Sequence, residues 1–378
     1  MATCSPPHLT TNRSTAVKLP DYSIVIATRN RPAALRLSIP RMLGQTPPPA
    51  QMVVVDSSDD HGATVAAVAG AVSGHSVDLT VLRCDRGLTR QRNAALAHLK
   101  HPVVFFPDDD SIWYPQVART HLEVYQRDSA RQIAAVCAAE APAPPPGWEV
   151  AAAGSYRMRR SHLLQQRFAR ARARLENHLA PDPARLLGRS FFPPAAELPD
   201  WFGDYDAVPV EWMTGFRMSF RTEVIRAVGF DETLARYSLF EDIDASFAAW
   251  RHGWVVGARN ARVFHYRSPE RRDDGRRLGV EQLLNKAFVI AKHAPIDHPA
   301  RAAMCAFGRY KTLQYRLAAN GEFGAARLAG ARAALREIDF LADSPPEVAA
   351  PAYLLALVRC LPESTPRPEP RMPAGGSR

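Results

Sequence analysis

The apolar positions in the first third of the chain fall into short unbroken runs separated by longer helical stretches. Ser23–Ala27 (SIVIA), Gln51–Val55 (QMVVV), Asp78–Arg83 (DLTVLR) and Val103–Phe106 (VVFF) read as strands. Between them, Pro32–Leu43, Ala63–Val72 and Thr89–Lys100 read as helices. Strands alternating with helices predict an α/β fold with a mainly parallel, Rossmann-like central sheet. In such sheets ligands sit at the carboxyl ends of the strands. Polar residues stand at those ends here: Thr28, Arg29 and Asn30, then Asp56, then Asp85, then Asp108, Asp109 and Asp110. A nucleotide-sized ligand is expected there.

Further along, the pattern changes. Residues 140–150 (EAPAPPPGWEV) are a Pro-rich break, and Tyr156–Leu179 reads as a basic helix with seven arginines. Its apolar residues Leu163, Leu164, Phe168 and Leu175 recur at near-helical spacing. That stripe either lies against an anionic membrane surface, with the arginines flanking it, or packs on the rest of the protein. Proline and aromatic residues cluster over 191–209, a compact block covers Glu211–Tyr266, and the remainder is rich in Ala, Leu and Arg. The expected organisation is a disordered tail over 1–20, a main domain over 21–278 with a basic helical insertion at about 150–205, a helical extension over 279–361 and a disordered Pro-rich tail over 362–378.

Composition narrows the class. With 378 residues, 46% of them hydrophobic, the chain can bury a substantial core, which excludes wholesale disorder. The net charge of +10 favours an anionic partner: a nucleotide, an anionic lipid surface or nucleic acid. The five cysteines are scattered and none forms a CxxC pair, so neither a disulfide framework nor a Cys-rich zinc site is indicated. A reducing compartment fits. The N-terminus lacks the apolar run of a signal peptide, and the late apolar stretch Val348–Val358 is broken by Pro351. A cytoplasmic protein, touching at most the inner face of the membrane, is expected. GxGxxG after the first strand, Walker A, HExxH and GxSxG are all absent, so phosphate would have to be handled by a metal on carboxylates.

Seven segments in order carry a resemblance: SIVIATRNRP, QMVVVDSSDD, RGLTRQRNAAL, VVFFPDDDS, VEWMTGFRMSFRTEVIRAVGFDE, FEDIDASFAAWRHGW and ARVFHY. Over residues 21 to about 268 the chain resembles a family 2 glycosyltransferase with the GT-A fold. The resemblance implies a nucleotide-sugar donor, commonly a UDP-sugar, a divalent cation (Mn2+ or Mg2+), and a glycan or lipid-linked acceptor.

Each motif also has its own physical reading. Asp108 and Asp110 follow a hydrophobic strand at i, i+2, so they either converge on one hard cation or form a solvated acidic turn. By resemblance they are the DxD motif, with Asp109 beside the donor. Asp56 either caps an Asx turn or, as the family implies, hydrogen-bonds the nucleobase. Thr28, Arg29 and Asn30 are implied nucleotide contacts. Arg92 and Asn93 start a helix where phosphate or ribose would lie, or are ordinary surface charges. Glu241 and Asp242 suit a first helical turn on dipole grounds alone. The resemblance makes Asp242 the general base for the acceptor hydroxyl and Glu241 its support. Trp212 is a sugar platform or a core aromatic, and Thr214 and Gly215 are implied acceptor or sugar contacts, the glycine allowing close backbone approach. His265 is a structural histidine or, as in relatives, the third metal ligand.

Pro107 and Ala248 depart from the family pattern, and neither the QxxRW motif nor a membrane span of a processive synthase is seen. A single-addition, inverting transferase is therefore expected. A nucleotidyltransferase would show a Gly-rich basic loop where TRNRP stands. A nucleic-acid binder would use the basic charge without needing the acidic pairs, so no nucleic-acid partner is expected.

Overall fold

The computed structural model describes residues 18–148, 180–192, 199, 201–202, 205–234, 238–267 and 274–361. The predicted basic helix Tyr156–Leu179 lies outside them. One mixed sheet runs through the first two thirds of the chain, in the order β3-β2-β1-β4-β8-β6-β9-β5, with β7 on β9. Its first four strands are β1 (Tyr22–Thr28), β2 (Gln51–Asp56), β3 (Asp78–Arg83) and β4 (Val103–Phe106). They are parallel, with helices α1 (Pro32–Leu43), α2 (His61–Val72) and α3 (Leu88–Leu96) as crossovers. This half is the βαβ alternation of the apolar pattern. β1, β2 and β4 are almost wholly buried, as expected of parallel strands covered on both faces. α3 ends at Leu96, short of the predicted Lys100.

The second half departs from the parallel expectation. β8 (Met218–Arg221) lies antiparallel between β4 and β6 (Ile133–Glu140). β9 (Trp254–His265) is parallel to β6 and carries β7 (Ala207–Pro209) antiparallel near one end and β5 (Ser111–Trp113) antiparallel at the other. β6 (IAAVCAAE) and α4 (Val117–Arg127), like β5, β7 and β8, are elements the strand–helix alternation does not predict. Alanine does not favour strands, and β6 is held by pairing on both edges rather than by propensity.

Two apolar cores follow. The larger fills the sheet and its covering helices. The smaller gathers α5 (Pro183–Ser190), α7 (Glu241–Trp250) and the C-terminal helices α8 (Gly275–His293), α9 (Pro299–Leu317), α10 (Gly321–Leu335), α11 (Ile338–Ala342) and α12 (Ala349–Cys360). The helix α6 (Thr222–Val228) follows β8. α7 belongs to both cores, so it fixes the position of the helical layer against the sheet. Asp244, in its first turn, accepts from Lys292 at 2.9 Å and meets His293 Nε2 at 2.7 Å on α8. No helix among the described residues is long and apolar enough to cross a membrane.

One buried histidine gives the fold a pH dependence. His121 on α4 is fully buried, stacks on Phe105 with ring centroids 5.1 Å apart, and places Nδ1 2.8 Å from Ser219 Oγ. Its Nε2 has no hydrogen-bond partner among the described residues, and burial pulls the ring down to about 3. The folded ring stays neutral while the unfolded one gains a proton below about pH 6.5. Stability from this group is therefore full above that pH and falls as pH drops, by about 1.4 kcal/mol per unit. Urea unfolding of the native chain should lose about 2 kcal/mol more between pH 6.5 and 5 than unfolding of His121→Gln. Equal slopes for the two proteins would show that His121 can be protonated in place.

Candidate active site

The carboxyl ends of β1 and β4 open into a cleft of about 620 Å3, closed opposite by the start of α7 and the turn at Gly215–Arg217. Asp108 and Asp110 lie where the chain leaves β4. β5 pairs with β9 so that Ser111 sits beside His265, which carries that imidazole to the same place. His265 Nε2 is 3.2 Å from Asp110 Oδ1 and 3.9 Å from Asp108 Oδ2. One donor atom from each of the three residues lies within 4.8 Å of the others. The ring is held flat on Phe216, with centroids 4.5 Å apart. Burial pushes Asp108 above the ordinary carboxylate range, against the pull of Arg92. Two carboxylates and an imidazole, crowded and desolvated, form a donor set that a divalent cation would neutralise, and they fit one.

Glu241 and Asp242 enter from the other wall. Phe240, just before them, has φ 73°, a left-handed conformation costly for an aromatic residue, and it sets the entry of α7 into the cleft. Asp242 Oδ2 accepts from the Gly215 amide at 2.9 Å and Oδ1 from the Ile243 amide at 2.8 Å. Burial raises its proton affinity, which suits a base. Glu241 is pushed up by burial and by the neighbouring Asp242, while Arg92 opposes the shift.

Arg92 joins the two acidic clusters. Its side chain is only 2% exposed, and it donates to Glu241 at 2.8 Å, to Asp108 at 3.2 Å and to the Gly215 carbonyl at 3.2 Å. The guanidinium is committed to carboxylates and a carbonyl and spans the site as a positioning residue. Gly215 is required for a different reason from the one expected. A Cβ there would come within 2.9 Å of Glu241 Oε1, so the missing side chain makes room for a carboxylate.

The other predicted residues divide. Thr28 donates to Asp109 at 2.8 Å, and Arg31 holds Asp109 at 3.1 Å, so that carboxylate braces the loop after β4. Arg29 and Asn30 both bond Asp59, at 2.9 and 2.8 Å. Thr214 accepts from Arg217 at 3.1 Å and lines the cleft. Three others are not among the residues that line the cleft. Asp56 is fully buried, with Oδ1 taken by Ser58 and Oδ2 by His61 at 2.7 Å, so it offers a ligand no free face. Asn93 turns away from the cleft and clamps Phe230, donating to its carbonyl at 2.8 Å and accepting from its amide at 2.9 Å. Trp212 packs against the helical core, with Arg185 6.0 Å over its ring. Sequence reasoning missed Arg31, Phe216, Gln91 and Arg86. Gln91 was legible as a polar residue in QRN; its amide donates to the Thr28 and Val55 carbonyls and ties β1 to β2 at the cleft floor.

With the geometry in place, the comparisons are informative. Residues 23–187 match the sequence model described as Glycosyl transferase family 2. No curated protein matches the chain. Among solved structures, GalNAc-T7 with UDP, GalNAc and Mn2+ superposes with a TM-score of 0.50 at 13% identity, covering 90% of this chain and 58% of that one. This chain thus spans little more than half of GalNAc-T7. The mannosyltransferase PcManGT from Pyrobaculum calidifontis, in complex with GDP-Man and Mn2+, gives 0.48 at 17%, covering 91% and 88%. S. aureus TarS 1-349 with UDP-GlcNAc gives 0.48 at 13%, covering 90% and 88%.

Proposed function

We propose that this chain, a glycosyltransferase of family 2 with the GT-A fold, moves a single sugar from a nucleotide sugar to an acceptor hydroxyl with inversion and with a divalent cation, in the assembly of a cell-envelope glycan, polysaccharide or glycolipid. One observation carries the proposal: a carboxylate fit to be a base and a cation-binding triad face one cleft and are linked by a single buried arginine.

The chain's own groups divide the work. Asp242 accepts the acceptor's hydroxyl proton, its carboxylate aimed by the Gly215 and Ile243 amides. Arg92 holds Glu241 away from competing for that proton and anchors Asp108 at the same time. Asp108, Asp110 and His265 would hold Mn2+ or Mg2+, and the imidazole tips the set toward Mn2+. A cation there supplies neutralisation of the charge that develops on the departing nucleoside diphosphate. Leu239 and Phe240 line the cleft beside the base. Attack from the base's side, opposite the leaving group, inverts the anomeric carbon, and one carboxylate base suffices for it.

The test is a thermal-shift screen of nucleotide sugars with and without Mn2+, followed by turnover of whichever donor binds. A donor should raise the melting temperature only with the cation present and release free nucleoside diphosphate. If no nucleotide sugar binds or turns over in Mn2+, the proposal fails.

Gly215→Ala tests the close packing behind it. The new methyl would displace Glu241 from Arg92 and shift the base by a fraction of an ångström or more. Misplacement on this scale costs about 10²-fold in rate. Unimpaired turnover by a folded Gly215→Ala would show that Glu241 can yield without moving Asp242.

A further inference from the structure

Asp242 can act as the proposed base only if the turn that carries it into the cleft keeps one shape. That turn holds two left-handed residues, Ser238 with φ 53° and Phe240 with φ 73°, and Leu239 stands between them. Neither is a glycine, and such a backbone persists only where its surroundings fix it. The Glu241 amide donates to the Ser238 carbonyl at 3.1 Å and the Asp244 amide to the Phe240 carbonyl at 3.0 Å, which ties both ends of the turn to α7. The middle carbonyl, that of Leu239, is held from another element: the side-chain amide of Asn285 on α8 donates to it at 3.0 Å. Leu239 and Phe240 both line the cleft.

Asn285 is fully buried, and its partners allow its amide one orientation. Oδ1 accepts from the Tyr353 hydroxyl on α12 at 2.8 Å, so the NH2 group is the end that meets the Leu239 carbonyl. Tyr353 is buried too and packs on Phe288 of α8 with ring centroids 4.8 Å apart. Other residues of α8 grip the same segment. Lys286 Nζ sits 5.0 Å from the centre of the Phe240 ring, and Lys292 and His293 hold Asp244. Gln282, nearly one turn before Asn285, lines the cleft itself. Positions 282, 285, 286 and 293 fall on one face of a helix. One face of α8 thus meets the cleft and the turn on either side of Asp242.

We infer that Asn285, its amide oriented by Tyr353, is a positioning residue for Asp242. It touches no reacting atom. It pins the Leu239 carbonyl, which keeps Phe240 left-handed and aims the first turn of α7 into the cleft. By this route the C-terminal helices are part of the catalytic apparatus and not only a second core. The role rests on the proposed function, in which Asp242 is the base.

Steady-state kinetics of the full chain, with Mn2+ and the nucleotide sugar it turns over, test this. Asn285→Ala should lower kcat about 10- to 100-fold, the scale of a misplaced reacting group, while KM for the donor stays native. Tyr353→Phe, which removes one hydroxyl, should lower kcat about three- to tenfold with the same split. In the Asp242→Asn background, where no base is left to aim, either substitution should cost less than about twofold more. A thermal melt shows which variants fold. A folded Asn285→Ala with native kcat and only a lower melting temperature overturns the inference, and so does an equal loss of kcat in both backgrounds. If Asn285→Ala does not fold, Tyr353→Phe decides, and native kcat in that variant overturns the inference. If the native chain turns over no nucleotide sugar, the proposed function is overturned and this inference with it.

Discussion

Asp242→Asn should fold, bind donor with near-native affinity and turn over about 10²–10⁴-fold more slowly, the range contributed by a positioned general base. The asparagine side chain is nearly isosteric and keeps one acceptor oxygen for the Gly215 or Ile243 amide, so α7 should stay in place. What it loses is the ability to take a proton. That ability matters only as the acceptor oxygen attacks, so the loss should fall on kcat rather than on KM. Glu241→Gln provides the contrast. Glu241 is committed to Arg92 at 2.8 Å, and the neutral amide leaves Arg92 with Asp108 as its remaining carboxylate. That variant should perturb donor binding along with rate. If Asp242→Asn kept more than about half of its rate, the base would have to be another group.

How far this site was legible depends on where each residue's position comes from. Strand-end residues were found because β1, β2 and β4 announce themselves as apolar runs and the carboxyl ends follow. Asp108, Asp110 and the Glu241–Asp242 pair stood out as acidic groups beside such elements. The sequence could not show that Asp56 is closed off, because the closing group, His61, lies in the next helix and meets it only once the β2–α2 turn is folded. Arg92 was seen as a surface or phosphate-facing charge. Only the approach of Gly215 and α7, more than 100 residues away, makes it a buried link. His265 reaches the metal ligands through antiparallel pairing of β5 with β9, and Phe216 supports it from a turn with no periodic signal. The C-terminal helices were foreseen as helices, but not that α7 would be shared between their core and the sheet's. α4 left a usable trace: Val117, Ala118, His121, Leu122 and Tyr125 recur at helical spacing and are all buried. β6 left none, since an alanine-rich run becomes a strand only through its two neighbours.

Removing the cation should be at least as damaging as removing the base. EDTA should abolish turnover and Mn2+ should restore it. Asp110→Asn should lose about 10³-fold or more, since charge neutralisation at the leaving group is worth several kcal/mol. Asp110 is the better position to test. Asp108 also pairs with Arg92, so its substitution would disturb Glu241 as well. Asp110 contacts His265 at 3.2 Å and Arg31 at 3.7 Å, and asparagine there keeps the volume while removing the charge. Activity alone would not separate a lost ligand from a distorted loop, so a second measurement is needed. An ion bound only by the folded chain stabilises it by mass action, about 2.7 kcal/mol at a hundredfold excess over its dissociation constant. Mn2+ without any nucleotide should therefore raise the melting temperature of the native protein and leave that of Asp110→Asn unchanged. The shift should be larger for Mn2+ than for Mg2+ if His265 is a ligand, because the imidazole nitrogen suits the softer ion, and His265→Ala should narrow that difference. Full turnover in excess EDTA would mean that the departing diphosphate is neutralised by protein groups alone. The arginines at the cleft, Arg29, Arg31 and Arg86, would then be the side chains to substitute next.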